Sequence, residues 1–258
     1  LDKRMSNGIL ITVRTGSSRL FQKSLLKINN LRTIEYVIEN ALKSRMADVI
    51  VLCTTILPED DILSKIAKKY LIECCRGSVE DKLERWKGAI EKYNIDFFVT
   101  FDGDDLLVSP FFADMAFVQS QRNKSDFIEN KDNEMIVGSF TYGISSVALK
   151  KVCEIKNTTD TEMMSKYFTD SGLFKVENLE NVSSYFKRDD IRMTLDYEED
   201  FRFFKAIIQY FHNLNKFDFD LIDVIEFLDR NPEVKEINRF RSEEWRNNQI
   251  KKTKMVLK

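Results

Sequence analysis

Histidine, glycine, proline and cysteine are all scarce in this sequence. Its 258 residues include one histidine, 8 glycines, 3 prolines and 4 cysteines. The lone histidine, His212, argues against a histidine-rich metal centre and against a Ser-His-Asp triad. So little glycine and proline leaves few candidate linkers, and we therefore expect one compact unit. The cysteines show no Cys-x-x-Cys spacing, which favours reduced thiols over a disulfide framework or a zinc site.

Long apolar runs and an excess of one charge are also missing. No apolar run approaches the roughly 18–20 residues of a membrane-spanning helix. The first apolar stretch, residues 9–13, is shorter than the hydrophobic part of a secretory signal. Lysine plus arginine number 40 against 42 aspartate plus glutamate, a balance that matches nucleic acid poorly. We therefore expect a cytoplasmic protein whose partners are neither membranes nor nucleic acids.

The first half of the chain alternates between two hydrophobic patterns. Short apolar runs predict buried strands at residues 8–14, 48–54, 71–75 and 95–101, and the second run is rich in β-branched residues. Segments with helical spacing separate them, and Ser78 is the predicted N-cap of the helix over residues 81–93. Strands and helices at this pitch favour a mostly parallel sheet covered on both faces, in three α/β/α layers.

The second half of the chain has weaker patterns. We predict strands at residues 126–129, 139–145 and 191–195. The predicted helices cover residues 147–154, 161–168, 198–210 and 217–228. Residues 239–258 are strongly charged, and we expect a loosely held tail there.

The loop after the first strand carries three kinds of group that bind a polyphosphate. They are Gly16 for exposed backbone N–H groups, Ser17 and Ser18 for hydroxyls, and Arg14, Arg19 and Lys23 for positive charge. Backbone donors, cations and little steric bulk are what such an anion requires. The loop is neither a Walker A motif nor a Gly-x-Gly-x-x-Gly fingerprint. An ordinary solvated loop with incidental basic residues is the alternative.

Acidic residues follow two other predicted strands. Asp102, Asp104 and Asp105 come after the fourth strand, and Asp196 follows the run at residues 191–195. Because ligands bind at the carboxyl ends of parallel strands, Asp104 and Asp196 are candidates to share one cation. Mg²⁺ is commonly held by one or two carboxylates together with substrate phosphates. A solvated strand end is the alternative for the first cluster. The acids at residues 198–200 most simply form the first turn of a helix.

The basic loop resembles a known signature. Residues 14–20 read Arg-Thr-Gly-Ser-Ser-Arg-Leu and are followed by Lys23, which is similar to the N-terminal motif of the acid-sugar cytidylyltransferases. That family includes the CMP-sialic acid and CMP-Kdo synthetases. The greatest resemblance is to the branch that contains spore coat polysaccharide biosynthesis protein F. Phe21 and Gln22 stand where Pro-Gly is usual in that branch, and every cation is kept.

Further segments resemble the same branch in the same order. They are residues 53–60, 76–83, 103–107, 195–200 and 231–238. One departure is Leu106, which replaces a usual proline. The similarity runs from residue 5 to about residue 238 and is weakest between residues 130 and 187.

The resemblance implies a fold and a domain division. The fold is a Rossmann-like, mostly parallel sheet of the nucleotidyltransferase type, which is similar to the GT-A fold. A single domain would cover residues 5–238, followed by the charged tail at 239–258. Within it, residues 5–125 would form the nucleotide half, 126–190 the acceptor and dimerisation region, and 191–238 the closing strand and helices.

The resemblance also implies an activity and roles for particular residues. A Mg²⁺-dependent enzyme would transfer CMP from CTP to an acidic sugar, either Kdo-like or nonulosonic, for surface polysaccharide biosynthesis. Arg14, Gly16, Ser17, Ser18, Arg19 and Lys23 would hold the triphosphate, Thr54, Arg76 and Ser78 the base and ribose, and Asp104 and Asp196 the Mg²⁺. Arg14, Lys23 and Asp104 would carry catalysis. Asn130 and Tyr142 are candidate acceptor contacts, and a homodimer through residues 140–185 is expected.

Two other functions are compatible with the same residues. Asp102-Gly103-Asp104 is also an Asp-x-Asp sequence, as in metal-dependent glycosyltransferases of the same fold. The basic loop argues against that alternative, because a nucleotide-sugar carries only a diphosphate. A non-catalytic nucleotide-binding homologue is the third hypothesis, since positions 21, 22 and 106 depart from the family pattern.

Overall fold

A seven-stranded sheet lies at the centre of the fold. The computed structural model describes residues 5–17, 19–130, 134–161, 163–250 and 255–258 in full, and the backbone of residues 251 and 252. The strands are β1 (Asn7–Thr12), β2 (Lys27–Ile28), β3 (Leu31–Arg32), β4 (Val49–Thr55), β5 (Glu73–Gly77), β6 (Phe97–Asp102), β7 (Phe127–Glu129), β8 (Tyr142–Ser145) and β9 (Val176–Asn178). The order across the sheet is β5-β4-β1-β6-β8-β7-β9, while β2 and β3 pair separately.

The sheet is mostly parallel, as the sequence predicts. β1 pairs in parallel with both β4 and β6, and β4 pairs in parallel with β5. β8 runs antiparallel to its two neighbours, β6 and β7. The four strands predicted in the first half of the chain are therefore confirmed, each within about two residues of its expected bounds.

Helices cover both faces of this sheet. They are α1 (Thr33–Ala41), α2 (Asp61–Lys69), α3 (Lys82–Tyr93), α4 (Pro110–Asn123), α5 (Ser146–Ile155), α6 (Lys166–Thr169), α7 (Glu198–Asn213), α8 (Leu221–Arg230), α9 (Pro232–Arg239) and α10 (Ser242–Lys252). Phe97 and Val99 of β6 pack in one core while Phe98 packs in the other. Because alternate side chains of a central strand enter opposite layers, the three-layer α/β/α arrangement is confirmed.

Residues 191–195 do not form the predicted strand. Ile191, Met193 and Leu195 are buried, so the apolar alternation is real. The segment makes one isolated bridge, from Arg192 to Val137. Its amides bond to loops instead: the Met193 N–H donates to the Val137 carbonyl at 2.8 Å, and the Leu195 N–H to the Asp104 carbonyl at 2.8 Å. The alternation of apolar residues therefore predicted correctly that this segment is buried. It did not reveal that, among the described residues, the segment forms only one isolated bridge and no strand.

Two smaller predictions need correction. The helix predicted over residues 161–168 is confined to α6, and residue 162 lies outside the described residues. The N-cap of α3 is Asp81 rather than Ser78, because the Asp81 carboxylate accepts the Glu84 N–H at 3.2 Å. The Ser78 hydroxyl instead accepts the Asp81 N–H at 3.1 Å. Ser78 therefore shapes the turn before the helix.

The segment expected to be a loose tail is anchored on the domain. Arg241 pairs with Glu199 at 3.1 Å, and α10 follows directly. At the chain end the Asn157 N–H donates to the Val256 carbonyl at 2.8 Å, and the Lys258 N–H to the Ile155 carbonyl at 3.0 Å. The described part of this segment therefore packs against α7 and α5.

Candidate functional site

A cavity of about 1350 Å³ opens at the carboxyl ends of β1 and β6. The basic loop after β1 and the acidic turn after β6 both line it, as does Asp196 from the segment before α7. Carboxyl ends of neighbouring parallel strands meet at one edge of a sheet, where α/β proteins bind their ligands. The edge predicted from the sequence is thus the edge that carries the cavity.

Four charged side chains meet on the floor of this cavity, and we call them the charge cluster: Arg19, Lys23, Asp104 and Asp196. The Lys23 Nζ lies 2.6 Å from Asp104 Oδ2 and 2.9 Å from Asp196 Oδ1. The Arg19 Nη2 lies 2.5 Å from the same Asp196 oxygen. Residues far apart in sequence therefore bring two carboxylates to one shared cation.

Backbone contacts fix the two carboxylates. Gly103 lets the turn after β6 approach β1, because a Cβ at this position would lie 2.7 Å from the Val13 Cβ. The Asp196 N–H donates to Asp200 Oδ2 at 2.8 Å, so the cap at the start of α7 also holds the residue before it. Asp200 is fully buried and pairs with Arg192. The acids at 198–200 thus begin a helix, as predicted.

Opposite charges control protonation in the charge cluster. Burial alone would raise the pKa of Asp196, but the charges of Lys23 and Arg19 outweigh it and hold that pKa below its ordinary value. Burial alone would lower the pKa of Lys23, but Asp104 and Asp196 raise it above the ordinary lysine value. Asp196 is therefore ionised and Lys23 is protonated at neutral pH.

A buried carboxylate holds the start of the basic loop. Asp60 accepts the Thr15 N–H at 2.8 Å and the Thr15 hydroxyl at 2.7 Å, and it also accepts the Thr55 hydroxyl. Burial alone would raise the pKa of Asp60, but the hydrogen bonds from Thr55 and Thr15 outweigh it and lower that pKa. Asp60 therefore stays ionised and fixes the loop between Arg14 and Gly16, both of which line the cavity.

Two buried arginines, Arg85 and Arg192, were missed in the sequence. Arg85 lines the cavity, and its Nη1 donates to the Ser78 carbonyl at 2.7 Å. Burial and the charge of Arg14 lower the pKa of Arg85. Arg192 supports the charge cluster, since its Nη2 lies 3.4 Å from Asp196 Oδ2. Arg192 is the one charged residue in the apolar run at residues 191–195. Because a buried arginine needs a carboxylate partner, this position could have been recognised as a candidate for a buried ion pair.

None of the three residues assigned to the base and ribose lines the cavity. Thr54 is fully buried within β4. Arg76 donates to the carbonyls of Thr55 and Leu57, each at 2.8 Å, and pairs with Asp61 at 2.6 Å. Its guanidinium therefore stabilises the conformation of the loop after β4. Ser78 supports the turn before α3, and neither it nor the other two lines the cavity.

The remaining assigned residues have varied positions. Gly16 and Ser17 line the cavity beside Arg14, whereas Ser18 lies outside the described residues. Asn130 and Tyr142 also line the cavity. The Asn130 Oδ1 accepts the Met135 N–H at 3.1 Å, and burial raises the pKa of Tyr142 to about 12.

The donor set can be compared with the needs of a metal ion. Within the described ranges, no group of three or more His, Cys, Asp or Glu side chains is arranged to hold a metal. Asp104 and Asp196 form a pair, which suits Mg²⁺ when phosphate oxygens and water complete its coordination. No helix in the described part of the chain is both long and apolar enough to cross a membrane.

Three known proteins are similar in sequence to part or most of this chain. A protein of Methanocaldococcus jannaschii, itself uncharacterized, is 32% identical over 89% of this chain and 93% of its own length. Spore coat polysaccharide biosynthesis protein SpsF of Bacillus subtilis is 24% identical over 87% of this chain and 95% of its own. A 3-deoxy-manno-octulosonate cytidylyltransferase of Chlorobium phaeobacteroides is 33% identical over 42% of this chain and 43% of its own.

A solved structure and a family model agree with these relatives. A cytidylyltransferase structure from Leptospira borgpetersenii superposes with a TM-score of 0.81 at 27% identity, and the match covers 90% of this chain and 97% of that one. The model of the family described as cytidylyltransferase matches residues 9–244. The resemblance found in the motifs is confirmed, and this chain belongs to the cytidylyltransferase family.

Proposed function

We propose that this protein transfers CMP from CTP to a hydroxyl group of an acidic sugar and releases pyrophosphate. The observation that carries the proposal is the charge cluster, in which Lys23 contacts both Asp104 and Asp196 at the cavity floor. Nucleotidyl transfer needs little covalent help from the protein, since positioning and neutralisation of the phosphate charge account for most of the catalysis. The cluster and the adjoining basic loop offer both.

Asp104 and Asp196 are the residues that would hold Mg²⁺. Their carboxylates already lie around one positive charge, the Lys23 ammonium, and two carboxylates with substrate phosphates are a common Mg²⁺ donor set. When bound, the ion would neutralise charge that builds up on the phosphate oxygens. The Mg²⁺ requirement is part of the proposal.

Basic side chains of the loop would bind the triphosphate. Arg14 and Lys23 line the cavity on either side of Gly16 and Ser17, so cations and neutral donors alternate along the loop. The acceptor hydroxyl oxygen forms a bond to the α-phosphorus, the bond from that phosphorus to pyrophosphate breaks, and the hydroxyl proton leaves to solvent. Lys23, a cation of the loop, would stabilise the charge on the departing pyrophosphate.

An acidic sugar, Kdo-like or nonulosonic, is the acceptor class we propose. The name of the Chlorobium relative specifies such an acid, and the name of the Bacillus relative specifies polysaccharide biosynthesis. Asn130 and Tyr142, which line the same cavity, are the proposed acceptor contacts. A cytoplasmic homodimer that pairs through residues 140–185 remains a prediction of the resemblance.

Pyrophosphate release tests the proposal. The protein is incubated with Mg²⁺, each of the four nucleoside triphosphates in turn, and either Kdo or N-acetylneuraminate. We expect release with CTP that depends on one of these acids. CTP binding without release under any condition would contradict cytidylyl transfer and favour the non-catalytic alternative. Turnover of a nucleotide-sugar without pyrophosphate would favour glycosyl transfer.

A further inference from the structure

Helix α10 forms part of the wall of the cavity. Trp245, Arg246, Gln249 and Ile250 all line the cavity and all come from this helix. The part of the chain matched by the family model ends at residue 244, just before these four side chains. The wall is therefore built from residues beyond the region that defines the family.

Contacts at both ends hold this wall in place. At the start of α10, the Arg241 guanidinium lies 4.7 Å from the Tyr197 ring centre. The Tyr197 hydroxyl accepts the Asn248 side-chain amide at 3.3 Å. At the chain end, the Val256 N–H donates to the Tyr167 hydroxyl at 2.9 Å. These anchors belong to α6 and to the residue before α7, so α10 is fixed beside the cavity.

The cations on this side of the cavity differ from those of the charge cluster. Arg246 on α10 and Lys166 at the start of α6 both line the cavity and are exposed. Neither one has a carboxylate within ion-pair distance among the residues that the structure describes. An arginine can bind a carboxylate through two parallel hydrogen bonds, an arrangement that fixes orientation as well as adding energy. Arg246 is thus available to an anion that enters the cavity mouth.

We propose that α10 carries the subsite for the acceptor's carboxylate, with Arg246 as the residue that binds it. This inference rests on the proposed function, because it names the acceptor side of the same cavity. CTP would occupy the side lined by the basic loop, and the acidic group of the sugar would lie against α10.

Trp245 provides a readout that needs no turnover. The chain has two tryptophans: Trp245 lines the cavity next to Arg246, whereas Trp86 is fully buried and reaches the lining through its hydrogen bond to Thr12. Acid-sugar binding next to Arg246 should therefore change the fluorescence of Trp245. Kdo and N-acetylneuraminate are titrated separately into the full chain, and CTP binding is measured by calorimetry on the same samples. The variants are Arg246→Gln, Arg246→Lys and, as a matched control, Arg239→Gln, since Arg239 is exposed on α9 and does not line the cavity.

We expect one of the two acids to bind, and Arg246→Gln to weaken that binding by about 10- to 100-fold while CTP affinity stays unchanged. Arg246→Lys should restore part of the affinity, and Arg239→Gln should have no effect. The proposal is overturned if the wild-type chain binds neither acid. It is also overturned if Arg246→Gln leaves acid binding unchanged or weakens CTP equally. A failure to bind CTP would contradict the proposed function instead, whatever the acids do.

Discussion

Lys23 and Arg246 line the same cavity but have different neighbours. Lys23 lies between two carboxylates and carries an ion pair to each. Arg246 has no carboxylate partner in the described part of the chain and lies at the cavity mouth. A cation that is already paired stabilises the fold and orders the site around it. An exposed cation without a partner adds little stability and is free to bind an anion.

This difference separates stability from recognition in one cavity. The charge cluster joins the loop after β1, the turn after β6 and the segment before α7, so substitution of its buried member, Asp196, should affect folding as well as chemistry. Arg246 of α10 has no ion pair of this kind among the described residues, so its substitution should affect recognition much more than folding.

Substitution of Asp196 should have the largest effect on stability. Asp196 is almost fully buried and pairs with Lys23, Arg19 and Arg192. Removing one partner of a buried ion pair leaves a buried charge uncompensated, so Asp196→Ala should cost about 3–5 kcal/mol of unfolding free energy. Urea denaturation followed by circular dichroism measures it. Arg246→Gln should change the same quantity by less than about 0.5 kcal/mol. Equal losses of unfolding free energy in the two variants would show that the charge cluster and Arg246 contribute equally to stability, contrary to the account.

Substitution of Arg14 tests the nucleotide side. Arg14 lines the cavity next to Gly16 and lies beside the buried Arg85, whose pKa it lowers. Loss of a hydrogen bond to a charged group costs about 1.5–3 kcal/mol, so Arg14→Ala should weaken CTP binding by about 10- to 100-fold. Calorimetric titration of CTP gives the affinity. If Arg14→Ala binds CTP as tightly as the wild type, the basic loop does not hold the triphosphate.

Acid titration tests how Asp60 holds that loop. The folded-state pKa of Asp60 lies below its unfolded value, since the hydrogen bonds from Thr55 and Thr15 outweigh the effect of burial. Its stabilisation is complete above the unfolded pKa of about 3.9 and is lost as the pH falls through the lower, folded value. Asp60→Asn should cost about 1–3 kcal/mol at pH 7. Thermal melting from pH 7 to pH 3 should show that this variant loses less stability on acidification than the wild type. Parallel curves would contradict the assignment.

Substitution of Arg76 should have the smallest effect on nucleotide binding. Its guanidinium bonds to the Thr55 and Leu57 carbonyls and to Asp61. Arg76→Ala should therefore cost about 1 kcal/mol of stability and change the CTP dissociation constant by less than about threefold. Denaturation and calorimetry on one preparation give both values. A large loss of CTP affinity with no change in stability would instead indicate that Arg76 contacts the nucleotide.

The sequence predicted one side of the cavity better than the other. Parallel strands leave a strong periodic signal, and the rule that ligands bind at their carboxyl ends places Arg14, Asp104 and Asp196 at one edge. The sequence did not predict that Lys23 contacts both carboxylates, which only the structure shows. Arg85 escaped notice because a buried arginine on a helix resembles an exposed one in sequence.

The α10 wall was not predictable, because its position depends on contacts between distant residues. Nothing near residue 245 in the sequence indicates that Arg241 will pair with Glu199 or that Asn248 will reach Tyr197. A charged segment with weak periodicity looks like a solvated tail. The strand predicted at residues 191–195 was wrong for a related reason. An apolar pattern indicates burial, but it does not reveal whether a neighbouring strand is there to pair with.

Turnover by the Asp104→Asn variant tests the central claim most directly. Asp104 is partly exposed and Lys23 keeps Asp196 as a partner, so the variant should fold with a melting temperature close to that of the wild type. Asp160→Asn is the control, because Asp160 is exposed and does not line the cavity. With CTP and the acid sugar, we expect Asp104→Asn to lose about 10²- to 10³-fold in Mg²⁺-dependent pyrophosphate release, while Asp160→Asn keeps full activity. Release by Asp104→Asn at the wild-type rate and with the wild-type Mg²⁺ dependence would contradict the account.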